Sequence, residues 1–101
     1  MALTKKQIKQ LRAMANSLKP LCSVGLNDLT ESAVNQAEAA IETHELIKCA
    51  VQDGSGLTAK EAAAELAEQL NAEVVQSIGN RFVLFRRSRR DDVEHIRLVR
   101  E

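Results

Sequence analysis

Leu21-Cys22-Ser23-Val24-Gly25-Leu26-Asn27-Asp28-Leu29-Thr30 is the stretch whose reading decides the fold. Leu21 to Val24 is a short apolar run of the kind that forms a buried strand. Gly25-Leu26-Asn27-Asp28 has the composition of a tight turn. Thr30 is an N-cap, and Glu31 follows in the first turn of a helix. A strand that hands a turn to a helix start leaves backbone N–H groups pointing outward, where the helix dipole favours negative charge. Gly25, Leu26, Asn27 and Asp28 are therefore candidate phosphate-facing residues.

On the N-terminal side of that turn, Thr4 and Gln7 form a capping box. Ile8, Leu11, Ala15 and Leu18 then recur at helical spacing, and Pro20 is expected to end the helix. Lys5, Lys9 and Arg12 lie off this stripe, three or four residues apart, and make a basic row. An ordinary solvated helix face is the plain alternative for that row. On the C-terminal side, Val34, Ala37 and Ile41 form the stripe of a second helix, with Glu38 and Glu42 on its surface and His44 at its end. Leu46 to Val51 alternates as a second strand, with Leu46, Lys48 and Ala50 on one side and Ile47, Cys49 and Val51 on the other. The more apolar set should face the helices.

Gln52 to Leu57 reads as a loop containing Asp53-Gly54-Ser55-Gly56. It lacks the lysine and hydroxyl of a nucleotide-triphosphate loop. Thr58 and Glu61 make a second capping box for a helix that buries Ala62, Leu66 and Leu70 and exposes Glu61, Glu65 and Glu68. Glu73 to Ile78 is a third strand, Gly79-Asn80 a two-residue hairpin turn, and Phe82 to Arg87 an antiparallel fourth strand. The expected fold class is α/β. It is a single compact domain in the order helix-strand-helix-strand-helix-strand-strand, with a four-stranded mixed, mostly parallel sheet packed with three helices. Residues 1–87 form the domain. Residues 88–101 form a charged tail in which Val93, Ile96 and Val99 recur every third residue, a pattern open to a short helix, a docked tail or disorder.

The chain has 101 residues, enough for one core, and its 14 basic and 14 acidic residues cancel. The distribution is uneven. Met1 to Pro20 holds five basic residues and no acid, Leu21 to Asn80 two bases against ten acids, and Arg81 to Glu101 seven arginines against four acids. Two basic ends flanking an acidic middle point to an anion-binding surface, provided the ends meet in space. Lys5, Lys9, Arg12 and Lys19 would supply it from the first end. Arg81, Arg86, Arg87, Arg89 and Arg90 would supply it from the second. Contacts of this kind hold phosphates and position RNA or DNA with little base readout.

Cys22 and Cys49 sit inside apolar strand patterns, show no metal spacing and read as small buried hydrophobes. No nucleophile has an evident activating base, and no cofactor or metal is called for. His44 reads as a helix cap, and His95 has no supporting ligand pattern. A non-enzyme is expected. No apolar run approaches the ~20 residues of a membrane span. A soluble, cytoplasmic monomer with no membrane partner is the expectation. Phe82 and Phe85 are the only aromatic residues, which disfavours a base-stacking platform.

Leu3-Thr4, Leu18-Lys19-Pro20, Val24-Gly25 with Leu29-Thr30, His44-Glu45-Leu46-Ile47-Lys48, Ala72 to Gly79 and Val83-Leu84-Phe85-Arg86 occur in an order that resembles the CRM (chloroplast RNA splicing and ribosome maturation) domain family, most closely its stand-alone bacterial, YhbY-like members. The resemblance implies an RNA-binding domain similar to the C-terminal domain of translation initiation factor 3. It also implies, as partner, structured ribosomal RNA in precursors of the large ribosomal subunit. The family's turn after the first strand is a GxxG loop compared with that of KH domains. Gly25 matches its first glycine. Asp28 stands where the second is usual, and Leu26 where a basic or polar residue is usual. A carboxylate there would sit near the phosphates, so the basic first helix and the Arg-rich end are expected to carry more of the affinity than the loop. The alternative is a protein-interaction module of the same fold that has lost RNA affinity and docks through its acidic helical surface.

Overall fold

The computed structural model describes residues 3–24, 30–52, 58–93 and 95–99. Three helices and four strands appear along the chain: α1 (Lys5–Ala15), β1 (Cys22–Val24), α2 (Glu31–His44), β2 (Leu46–Val51), α3 (Ala59–Leu70), β3 (Glu73–Ile78) and β4 (Arg81–Phe85). Each helix starts on a threonine whose hydroxyl accepts from a backbone N–H three residues on. At Thr4 and Thr58 the box is closed reciprocally by Gln7 and Glu61. Such caps satisfy donors that the helix itself cannot, each worth about 1 kcal/mol.

α1 ends at Ala15, five residues before Pro20. The chain turns at Asn16 and Ser17, with the Leu18 N–H reaching the Ala15 carbonyl at 3.0 Å, so Leu18 still packs on the core. The break comes early because the chain must turn back to enter β1. Leu21 then donates to the Lys48 carbonyl, starting the parallel β1–β2 pair in which Cys22 lies beside Cys49 and Ser23 beside Ala50.

The spatial order of the sheet is β1-β2-β4-β3. β1, β2 and β3 run in one direction, as two strand–helix–strand units require. β4 returns antiparallel between β2 and β3, so only one of the neighbouring pairs is parallel. Gly79, at φ 60°, takes the first position of the hairpin turn, where L-residues are disfavoured and Gly is free. A bulge between Val74 and Gln76 lets both Val75 and Gln76 sit toward the α1 side.

Strand alternation splits the core into two layers. Cys22, Val24, Ile47, Cys49, Val51, Phe82 and Leu84 face α2 and α3, whose Ala37, Ala62, Ala63 and Ala67 allow close approach. Leu46, Val75, Val83 and Phe85 face α1 through Leu11 and Ala15. Both cysteines are buried free thiols within the first layer.

The segment after β4 is not a free end. Ser88–Val93 and His95–Val99 contain no helix among their described residues, and Ile96 and Leu98 pack against the α1-side core. Gln7 Nε2 donates to the Val99 carbonyl at 3.1 Å and Gln10 Nε2 to the Arg97 carbonyl at 2.7 Å. The Val99 N–H returns a bond to Gln10 Oε1 at 2.8 Å. The tail therefore runs along α1.

Candidate nucleic-acid interface

The sequence places Lys5, Lys9 and Arg12 in one helical row, and the structure extends that row to Asn16, which keeps helical dihedrals as the C-cap. Gln7, Gln10 and Met14 occupy the opposite flank of α1, the one lined by the tail. Asn16 lines a small pocket of about 190 Å3 together with Lys48, Gln76, Ile78 and Arg81. The basic row is thus continuous with the open part of the sheet face. There Ala50 pairs with Arg81, Lys48 with Val83 and Gln76 with Val83. Lys5, Lys9, Arg12, Lys48 and Arg81 have no acidic partner among the described residues. Lys5, Lys9 and Arg12 share the α1 flank that ends at Asn16, and Lys48 and Arg81 lie beside Asn16. This joins Arg81 from the C-terminal end of the chain to the N-terminal row.

The uneven distribution of charge along the chain does not mark Lys48, which lies in the acidic middle. Its signal was present in the alternation of β2. Leu46, Lys48 and Ala50 share the face that α1 covers only in part, and a lysine at a half-buried strand position without an acid beside it is a candidate ligand for an anion.

Gly25 to Asp28 lie outside the described residues. Their flanks are placed: Val24 ends β1, and Thr30 caps α2 with its hydroxyl on the Ala33 N–H at 3.1 Å. Lys19 is exposed but lies elsewhere, in a hollow with Leu18, Leu21, His44 and Leu46 beside the tail. Arg87 is exposed and turns toward the tail, its Nη2 on the Ile96 carbonyl at 3.1 Å. Arg89 is exposed, while Arg90 pairs with Asp92 at 2.6 Å.

Arg86 corrects the expectation that it faces RNA. It is 9% exposed and points between α2 and α3. Its guanidinium grips Glu38 with two bonds of 2.8 and 3.1 Å, Glu42 at 2.6 Å and the Leu70 carbonyl at 2.8 Å. The fork geometry of Arg suits such a bidentate grip. Burial alone would make Arg86 easier to deprotonate, but Glu38 and Glu42 outweigh it and raise its pKa. Glu38 and Glu42, which read as ordinary solvated acids one turn apart, are the other half of this staple. Burial pushes the Glu42 carboxyl up. Bonds from the Arg89 N–H, the Ser88 hydroxyl and Arg86 together hold it below the usual range.

A second structural acid was also hidden. Glu45 is fully buried and is the single residue between α2 and β2, with φ 63°. A positive φ is where glycine is usual, and the ψ of −37° sets this position apart from the left-handed helical cap at Asn71. Its N–H closes α2 on Ile41 at 2.8 Å, and its carbonyl accepts from the Arg86 N–H at 2.9 Å. Its carboxylate accepts the Ser88 N–H at 2.6 Å and the Ile96 N–H at 2.6 Å, and lies 2.7 Å from His95 Nδ1. Burial pushes this carboxyl up. The bonds from His95, Ile96 and Ser88 outweigh that and leave it net below its usual value. Glu45 is an anchor for the tail.

Fold and surface together define a small α/β domain with one cationic face and a structurally fixed C-terminal strap. The chain belongs to the CRS1/YhbY (CRM) domain family, whose model matches residues 3–86. It is 35% identical over 88 residues to a protein of Pseudomonas aeruginosa named "Probable RNA-binding protein", covering 87% of this chain and 85% of that one. A Bacillus subtilis protein of the same name type is 33% identical, with 86% and 91% covered. The solution structure of a hypothetical protein from Staphylococcus aureus superposes with a TM-score of 0.68 at 31% identity, over 94% of this chain and all of that one. Among the described residues no helix is long and apolar enough to cross a membrane.

Proposed function

We propose that this protein is a non-catalytic RNA-binding factor that holds phosphates on the α1 flank formed by Lys5, Lys9 and Arg12, continued by Lys48 and Arg81. Continuity of the basic row, through Asn16, with Lys48 and Arg81 supports this reading, and none of these five cations has an acidic partner among the described residues. The names of the relatives support it. Six of the ten acids of the middle segment are accounted for elsewhere. Glu38 and Glu42 hold Arg86, Glu45 holds the tail, and Glu61, Glu65 and Glu68 lie exposed along α3.

The RNA is proposed to be structured ribosomal RNA in precursors of the large subunit, bound by a cytoplasmic monomer during assembly. The turn Gly25 to Asp28 would approach the same strand of RNA from the end of β1. Because its phosphates are held by charge, affinity should fall steeply with salt, by a slope of about 0.7–0.9 in log–log terms per contact. Sedimentation of a lysate at low and moderate salt tests this. Migration with immature large-subunit particles, lost as salt rises, is expected. Residence in free fractions at both salts would instead favour the protein-interaction module. Lys5→Ala, Lys9→Ala and Arg12→Ala combined should lower the salt slope by about 2–3.

A further inference from the structure

We infer that the docked tail builds a second RNA-binding groove, on the flank of α1 opposite the Lys5 row, and that it takes a single-stranded segment. This rests on the RNA reading above. The groove is an open cleft of about 730 Å3 lined by Gln10, Met14, Arg87, His95, Ile96 and Arg97, within the size range of small-molecule sites. No described residue lining it is acidic.

The positions of its cations are fixed. The Arg97 carbonyl is bonded by Gln10, and its neighbours Ile96 and Leu98 turn into the core. An extended chain places alternate side chains on opposite sides. Arg97 is therefore left exposed, and its guanidinium has no partner among the described residues. Arg87 reaches in from the end of β4 and is held by the Ile96 carbonyl. Glu45, buried beneath, fixes the Ser88 and Ile96 amides and the His95 ring.

Single-stranded RNA is favoured over a bare anion by what adjoins the groove. Met14 and Ile96 are shared with a second hollow of about 490 Å3 lined by Leu18, Lys19, Leu21 and His44. Leu21 is 43% exposed and Met14 38%. A cationic compartment opening onto an aliphatic one suits a phosphodiester whose unstacked base packs on Met14, Leu21 and Ile96, without the aromatic stacking that the composition disfavours. A duplex keeps its bases stacked inside and would leave the apolar wall unused.

The test uses the full chain, a mixed-sequence single-stranded RNA octamer and a blunt RNA duplex. Arg97→Ala is the primary variant, since that side chain makes no bond to any described residue. Arg87→Ala is added to it, with hydrogen exchange at the Ile96 amide confirming that the tail stays docked. For the octamer we expect the salt slope to fall by about 0.7 for Arg97→Ala and about 1.4 for the pair. Amide signals of Gln10, Ile96 and Arg97 should shift on octamer addition, and the slope for the duplex should change less. An unchanged octamer slope in Arg97→Ala and in the double variant, with the Lys5/Lys9/Arg12 variant impaired, overturns the groove and leaves the RNA function standing. Absence of wild-type binding to both probes overturns both.

Discussion

The two faces of the sheet treat their arginines in opposite ways, and Arg86 and Arg87 show it side by side. On the α2–α3 face, Arg86 continues the inward row of Phe82 and Leu84 and is enclosed by Glu38, Glu42 and the Leu70 carbonyl. One residue later Arg87 emerges on the α1 face, exposed, holding among the described residues a single carbonyl, that of Ile96. Strand alternation alone separates a structural cation from one free to meet a ligand. Charge counted along the sequence treats them alike. The surface that remains after such subtraction is smaller than the seven C-terminal arginines imply, and Arg81, Arg87 and Arg97 present it on the α1 side.

Arg86→Ala has the largest expected effect. It would leave Glu38 and Glu42 facing each other without their cation. Removing one partner of a buried pair costs about 3–5 kcal/mol, and the 45% exposure of Glu38 lowers that to about 2–4. Urea unfolding should show this loss, while Arg87→Ala should stay within about 1 kcal/mol of wild type. Equal losses would mean that the two arginines are not divided as the structure divides them.

Next in size is Glu45→Gln. One amide oxygen would remain to accept where the carboxylate now serves three donors, and the amide N–H2 would confront one or more of them. A loss of about 1–3 kcal/mol is expected, with faster hydrogen exchange at the Ser88 and Ile96 amides than at core amides such as Leu84. If the tail docked through its apolar residues alone, those amides would keep their protection.

Acid should weaken the same contacts. Glu42 and Glu45 are both depressed in the folded protein relative to the usual 4.5. The folded state therefore binds fewer protons than the unfolded one in this range. Their contribution is fully present above pH 4.5 and is lost as pH falls through their lower folded values. Unfolding midpoints measured from pH 7 downward should hold to about pH 5 and then decline. The decline should be shallower in Glu45→Gln.

How much of this was legible in the sequence depended on range. The capping boxes at Thr4 and Thr58, the alternation over Leu46–Val51 and the hairpin at Gly79 are local, and each element they define is present. The insertion of β4 between β2 and β3 was not legible, because periodicity says which side of a strand is apolar but not which strand lies beside it. Glu45 was missed for a related reason. Its donors are Ser88, His95 and Ile96, more than forty positions away, and nothing near it in the chain marks it as buried. Its positive φ had one local trace, the absence of any turn residue between the end of the α2 stripe and the start of β2. Arg86 could have been found. Extending the Phe82, Leu84 alternation by one more step puts it on the inner face.

The smallest effect separates the two flanks of α1. Lys48→Ala should reduce the salt slope of RNA binding by about 0.7–0.9, one phosphate contact, with little change in selectivity among sequences. Lys60→Ala, on the exposed side of α3, is its matched control and should leave the slope alone. Combined with Arg97→Ala, Lys48→Ala tells whether one RNA strand spans α1 or two sites act separately. Contacts made by one octamer reaching both flanks would give a double-variant slope reduced by the sum of both. Sites too far apart for that would bind the octamer separately, each single variant would lower the slope at its own site, and the double variant would show less than the sum. The pocket at Asn16, Lys48 and Arg81 and the groove at Arg87 and Arg97 lie on opposite flanks of one helix, whose diameter with side chains is about 10–12 Å. A few extended nucleotides cover that distance, so the summed reduction is the expected result.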